Sequence, residues 1–272
     1  MLETFNVQIK GLDKERTIRV HLPEDYYTYS DKAYPVLYMH DGQNLFHDEE
    51  SVFGKSWGLV DYFRRHPTEV IVVGIDSIPF GNERMNEYSP WPNNKHVQQF
   101  FGHASQCGGE GAIYTAFIAE QLKPMVDQKY RTNPDFTMMA GSSMGGFITA
   151  YAACQYPHIF KRAAAISPAC WFNQVELERM FDNSDVAKIE KFYLDVGTKE
   201  SISELMTNEY YEESCKSFYQ HIKNRFTDMK FQIIEEAEHN EDYWRDRFGG
   251  ILDYLLSPSE ESQAEFRRLP LK

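Results

Sequence analysis

The residue with the most definite chemical prospect is Ser143, at the centre of Gly141-Ser142-Ser143-Met144-Gly145, a G-x-S-x-G pattern. An apolar run, FTMMAG at 136–141, leads into it, and a helical pattern, FITAYAACQY at 147–156, leaves it. That order predicts a strand, a sharp turn and a helix. Small residues two before and two after the serine are needed because larger side chains would collide in such a turn. The turn would lift the hydroxyl above a sheet edge. A helix opening at Met144 would bring its backbone N–H groups and positive dipole end to the same place.

A serine hydroxyl is a weak nucleophile and needs a base, with a third group to orient that base. Nine histidines are available. His21, His40, His47, His66, His96 and His103 precede the serine, His158 follows its helix, and His221 falls inside a later helical pattern. Only His239 lies after an apolar strand pattern and before a helical one, at the carboxyl edge of a parallel sheet where ligands gather. Its acidic neighbours, EEAEHNEDY at 235–243, would also suit a solvated loop histidine; the pairing with Ser143 favours the base. For the orienting acid, Asp195 and Glu200 compete on FYLDVGTKES at 192–201. Asp195 falls within the strand pattern, whereas Glu200 lies beyond Gly197-Thr198, so Glu200 is preferred and Asp195 stays the alternative. The acid would hold the histidine tautomer and stabilise the imidazolium. Two N–H donors should face the developing oxyanion: that of Met144, and that of Gln43 in His40-Asp41-Gly42-Gln43-Asn44, where Gly42 is expected to supply an unusual backbone direction.

The elements that must position these groups are legible as short apolar runs at 36–40, 70–75, 136–141, 163–167, 192–197 and 231–236. Between them lie helical patterns near 58–66, 112–128, 145–156, 203–226 and 241–256. Unbroken apolar runs are strands buried on both faces, so a mostly parallel central sheet with helices on both faces is predicted. FNVQI and RTIRVH, separated by Gly11-Leu12-Asp13-Lys14, predict an antiparallel N-terminal hairpin. The segment 76–111, rich in glycine and proline, is predicted to be a large surface excursion. Residues 1–256 are expected to form one domain, with 257–272 as a tail.

Composition narrows the classes. The chain has 272 residues, 42% hydrophobic and 25% charged, enough for a substantial core. Its formal net charge of −13 disfavours nucleic acid and anionic lipid as partners. No apolar run approaches the roughly 18 residues of a spanning helix, and no leader pattern opens the chain, so neither membrane insertion nor export is expected. Cys107, Cys154, Cys170 and Cys215 are too few and too scattered for a disulfide framework. A cytoplasmic location is expected, and self-association is left open.

Taken in order, YPVLYMHDGQNLF (34–46), ERMNEYSPW (83–91), the stretch 108–132, AGSSMGG (140–146), YPHIFKRAAAISPACWF (156–172), LDVGTKE (194–200) and the His239 segment resemble the esterase D and enterochelin-esterase branch of the α/β-hydrolases, over roughly residues 5–256. The resemblance implies an α/β-hydrolase fold, a serine carboxylic ester hydrolase with Ser143, His239 and Glu200 as its catalytic residues, and no metal or organic cofactor. The expected partner is a small or aromatic ester, with a siderophore trilactone as the alternative. Trp57, Trp91 and Trp171 are candidates to wall an acyl pocket, and Arg84 either binds an anionic substrate part or acts as a structural clamp. Two readings from other classes compete. One is a ligand-binding protein without turnover; the other is metal-dependent hydrolysis using His40, Asp41, His47, Asp48, Glu49 and Glu50, whose spacing matches no compact metal motif.

Overall fold

A computed structural model of the chain describes residues 1–93 and 107–259. Among these residues the strands are β1 (Leu2–Ile9), β2 (Lys14–His21), β3 (Tyr34–His40), β4 (Ile71–Ile75), β5 (Thr132–Ser142), β6 (Phe160–Ile166), β7 (Lys191–Lys199) and β8 (Met229–Glu238). They form one sheet in the order β1-β2-β4-β3-β5-β6-β7-β8. The β1–β2 hairpin joins β4 antiparallel, and every pairing from β4 to β8 is parallel. Each strand was foreseen, with ends displaced by a few residues.

Helices cover both faces. α1 (Leu59–Arg65) and α7 (Glu241–Leu256) share a core with Leu37, Met39, Val72, Met138, Ala140 and Ala164. The opposite face carries α3, which runs Gly111–Ala116, passes through a π-helical stretch Phe117–Leu122 and ends as Lys123–Lys129, together with α4 (Met144–Gln155), α5 (Gln174–Asn183) and α6 (Asn208–Ile222). Val36, Tyr38, Val73, Met139, Ala163 and Ala165 point to that side. Successive side chains leave a strand on opposite faces. Because both faces are covered, the runs read as continuously apolar, without alternation.

Two expectations need correction. The 76–111 segment is not simply a surface excursion: its short helix α2 (Glu83–Glu87) leads into Tyr88 and Ser89, and Glu87, Tyr88 and Ser89 are fully buried. The Glu87 carboxylate takes both contacts of a buried Arg16 guanidinium at 2.6 and 2.7 Å, an ion pair that fixes the segment to β2. Residues 94–106, with His96 and His103, lie outside the described set. The 257–272 tail begins attached: Arg162 donates to the carbonyls of Leu255 and Ser257, and Lys191 to the Ser257 hydroxyl. Its remainder from 260 lies outside the described residues.

Candidate active site

β5 delivers the chain to Ser143, which adopts φ 59° and ψ −125° before α4 begins at Met144. A positive φ on a non-glycine residue is strained. Here the strain is braced on both sides, since Ser143 N–H donates to the Ile166 carbonyl and Ala169 N–H to the Ser143 carbonyl, both at 3.0 Å. A Cβ on Gly141 would lie 2.6 Å from the Gly145 carbonyl oxygen and 2.9 Å from the His40 ring. Steric exclusion thus accounts for the spacing read from the sequence. Within the elbow Ser143 is partly exposed while Ser142 and Met144 are buried.

The structure brings together the three residues singled out. His239 Nε2 lies 2.8 Å from Ser143 Oγ, and His239 Nδ1 lies 2.5 Å from Glu200 Oε2. Glu200 is wholly buried, and its other oxygen accepts from Ser167 Oγ and Gly197 N–H, each at 2.6 Å. Burial opposes a charge there, but the bond and charge of His239 and these two donors outweigh it and hold the carboxyl below its usual range. Asp195, the alternative acid, is engaged elsewhere. It receives Arg247 Nε at 2.7 Å, Tyr193 OH at 2.9 Å and Ser167 N–H at 2.8 Å, and has no contact with His239. The β7 strand explains the difference: Asp195 lies inside it and points into the α7 layer, whereas Glu200 follows its end.

The loop after β3 forms a 3-10 turn, Gly42–Asn44. The unusual backbone direction belongs to Asp41, at φ 55°, and not to Gly42. Gly42 is required for space, since a Cβ there would fall 2.6 Å from Asp76 Oδ1 and 2.8 Å from the backbone of β4. The Asp41 carboxylate is held by a bidentate Arg84 fork, both bonds 2.7 Å, and by Ser77 Oγ at 2.7 Å. Burial again opposes the charge, and Arg84 keeps the carboxyl low. The Gln43 amide exchanges two bonds with Ser77. Met144 N–H, the first of α4, has no intrahelical acceptor, and among the described residues Gln43 N–H likewise has none.

These groups open onto a cleft of about 720 Å³, lined by Gln43, Ser143 and His239, by Val52, Phe53, Pro79, Ile202 and Trp244, and by Lys55, Arg84, Glu241 and Asp242 among others. Arg84 is therefore in the cleft wall, but as the clamp on Asp41. The three tryptophans proposed as walls do not line the cleft. Trp57 packs into the core against Trp244 and Phe248, Trp171 is buried against Phe172, and Trp91 meets Tyr151 and Phe147 edge-on. The tryptophan that does line it is Trp244, edge-on to the His239 ring at 5.0 Å, with Tyr211 at 5.0 Å beside the same ring. Its signal was available: it sits five residues after His239 on the first turns of the following helix.

The six residues weighed as metal ligands are not gathered. His40 Nδ1 meets Tyr114 OH, Asp41 holds Arg84, Asp48 accepts from Ser56, and Glu50 pairs with Arg19. Among the described residues Glu83, Glu87 and Glu110 do converge, around the Lys14 ammonium.

A parallel sheet bearing a serine elbow, with a histidine and a carboxylate supplied from beyond later strands, defines an α/β-hydrolase. More narrowly, the chain belongs to the Putative esterase family, whose sequence profile matches residues 9–255. The uncharacterised protein YbbA of Bacillus subtilis is 24% identical over 252 residues, covering 91% of this chain and 95% of YbbA. The ferri-bacillibactin esterase BesA of the same organism is 26% identical over 151 residues, 52% of this chain and 50% of BesA. Among solved structures, an IroE-like serine hydrolase from Shewanella oneidensis superposes with a TM-score of 0.72 at 20% identity, covering 94% of this chain and 79% of that one. At that identity the likeness bears on the fold. No helix among the described residues is long and apolar enough to cross a membrane.

Proposed function

We propose that the protein is a serine carboxylic ester hydrolase working through an acyl-enzyme. The observation that carries this reading is the continuous contact from Ser143 Oγ through His239 to Glu200 at the floor of an open cleft. His239 Nε2 takes the proton as Ser143 Oγ attacks the ester carbonyl carbon. The resulting oxyanion is received by the Met144 and Gln43 N–H groups. Collapse expels the alkoxide, which takes the proton from His239, and water attacks the acyl-enzyme by the same steps in reverse. Glu200 stays ionised throughout and stabilises the imidazolium.

The apolar wall of Val52, Phe53, Pro79, Ile202 and Trp244 suits a small or aromatic ester. A siderophore lactone is the second reading. It is favoured by BesA, described as a ferri-bacillibactin esterase, and by the cation Lys55 in the same wall. Ser143→Ala is expected to lower p-nitrophenyl acetate hydrolysis by several orders of magnitude with the fold intact, and a fluorophosphonate should add its mass at Ser143. Retained hydrolysis would overturn the assignment, whereas tight ligand binding without labelling would favour a non-catalytic protein. Comparing a catecholate trilactone with methyl ferulate separates the two substrate readings.

A further inference from the structure

The ring orientation of His239 matters chemically, because only an unprotonated Nε2 can accept the Ser143 proton. The hydrogen bonds around Ser167 bear on the placement of the carboxylate that keeps the other nitrogen protonated. Ser167 Oγ is approached by Arg247 Nη2 at 2.7 Å and Trp244 Nε1 at 3.4 Å, and lies 2.6 Å from Glu200 Oε1. Guanidinium and indole nitrogens donate only, and a hydroxyl has a single proton to give. Its two lone pairs thus serve α7, and its one O–H is directed at Glu200. Oε1 receives a second irreversible donor, the Gly197 N–H. With two donors on Oε1 the ionised carboxylate is held in place, and its Oε2 accepts from His239 Nδ1 at 2.5 Å, which leaves Nε2 as the acceptor facing Ser143.

Ser167 is itself immobilised. It holds a left-handed φ of 39°, its N–H is bound by Asp195 Oδ1 at 2.8 Å, and its carbonyl by Tyr211 OH at 2.8 Å. Its neighbours Ile166 and Ala169 grip the Ser143 backbone. One four-residue segment therefore contacts both the nucleophile's main chain and the acid's side chain.

We propose that Ser167 is a positioning residue for the hydrolytic reaction: its hydroxyl, oriented by Arg247 and Trp244, donates to the ionised Glu200 and so fixes where Oε2 meets His239 Nδ1 and how strongly the carboxylate draws on that proton. This rests on the function proposed above. The titratable and charged groups facing the network are Asp195 from β7, Tyr211 and Cys215 from α6, Cys170 from the turn after β6, and Arg247 from α7.

The test is Ser167→Ala, read by the pH dependence of kcat and KM with p-nitrophenyl acetate and by ¹⁵N shifts of the His239 ring. Loss of the donor is expected to lower kcat about tenfold with KM changed by less than about twofold. The acid limb should move up by about half a pH unit, since a carboxylate relieved of one donor holds the imidazolium proton more firmly. The Nδ1 resonance should move as its bond to Glu200 changes, with Nε2 remaining the unprotonated nitrogen. A kcat, acid limb and ring spectrum like those of the wild type would overturn the proposal. If Ser167→Ala does not fold, Arg247→Lys keeps the charge beside Asp195 but lacks the fork that reaches Ser167. The same ring shift in that variant supports the relay, and an unchanged spectrum overturns it. Ser143→Ala in the same assay separates the two levels. Retained activity there overturns the function itself, whereas its loss alongside a wild-type-like Ser167→Ala overturns only the relay.

Discussion

Glu200 and Asp195 lie five positions apart and both are fully buried, yet their surroundings assign them different work. Glu200 touches the imidazole; Asp195 neutralises Arg247 and ties β7 to α7. Glu200→Gln is expected to cost roughly three to four orders of magnitude in kcat, because an amide can stabilise the wrong tautomer and offers no charge to the imidazolium. Asp195→Asn should act mainly on stability, costing about 3 kcal/mol by leaving the partly buried Arg247 without its counter-charge. Paired kinetics and thermal unfolding of the two variants would check this division, and a larger kcat loss in Asp195→Asn than in Glu200→Gln would reverse it. The sequence distinguished these carboxylates only by position relative to the end of a strand. That was sufficient for them, because a strand's interior and its carboxyl end face different neighbours. It was insufficient for the tryptophans, since an aromatic near a sheet edge can turn toward core or cleft, and only packing decides.

At the scale of elements, the turn after β3 and the start of α7 are joined by Asn44, whose Nδ2 donates to Glu241 at 3.0 Å. Its Oδ1 accepts from Val52 N–H at 3.0 Å, and its carbonyl accepts from Trp57 N–H at 2.8 Å. The loop that carries Gln43, the loop that carries Phe53 and the helix after His239 thus share one side chain. Asn44→Ala is expected to lower kcat/KM about tenfold and to leave the buried Glu241 without its donor. Kinetics on short and aromatic esters would check it, with the greater loss for aromatic ones because Phe53 loses its anchorage. Elements of this kind were unevenly legible. Long strands and α6, with Tyr211, Cys215, Phe218 and Ile222 on one stripe, announce themselves by period. α5 was missed although Leu177, Met180 and Phe181 recur at helical spacing, because ten residues show that period barely once. The 76–111 segment was misread for a different reason: its burial depends on Arg16, sixty residues and more away in sequence, meeting Glu87.

For the whole molecule, charge and acid stability can be argued together. The cleft carries little of the overall −13: Asp41 is matched by Arg84, and Lys55 offsets one of the two charges of Glu241 and Asp242. Anionic esters thus meet one uncompensated carboxylate in the cleft and a larger distant charge, which salt screens beyond roughly 8 Å. Acidification acts on the interior. His40 and His21 are buried, and burial lowers them to about 3 and about 4. The unfolded chain takes up these protons near pH 6.5 while the folded protein resists them. Their contribution is therefore complete above about pH 6.5 and declines as the pH falls toward those lower values. His21 stacks on Phe63 at 4.7 Å, so His21→Phe fits the site. It is expected to make the fall in Tm between pH 7 and 5 shallower by about 3 °C per pH unit; an unchanged slope would exclude His21 as a source.

The helix that follows Ser143 has a wider consequence. From Met144 to Cys154 every residue of α4 is buried, between the sheet and the helices over it. An element with no water-facing side cannot fray or slide locally, so its opening requires the enclosing layers to part. Ser143 is therefore mounted on an element expected to be among the last to exchange its amide hydrogens with solvent, and loss of activity on heating should coincide with loss of the fold itself.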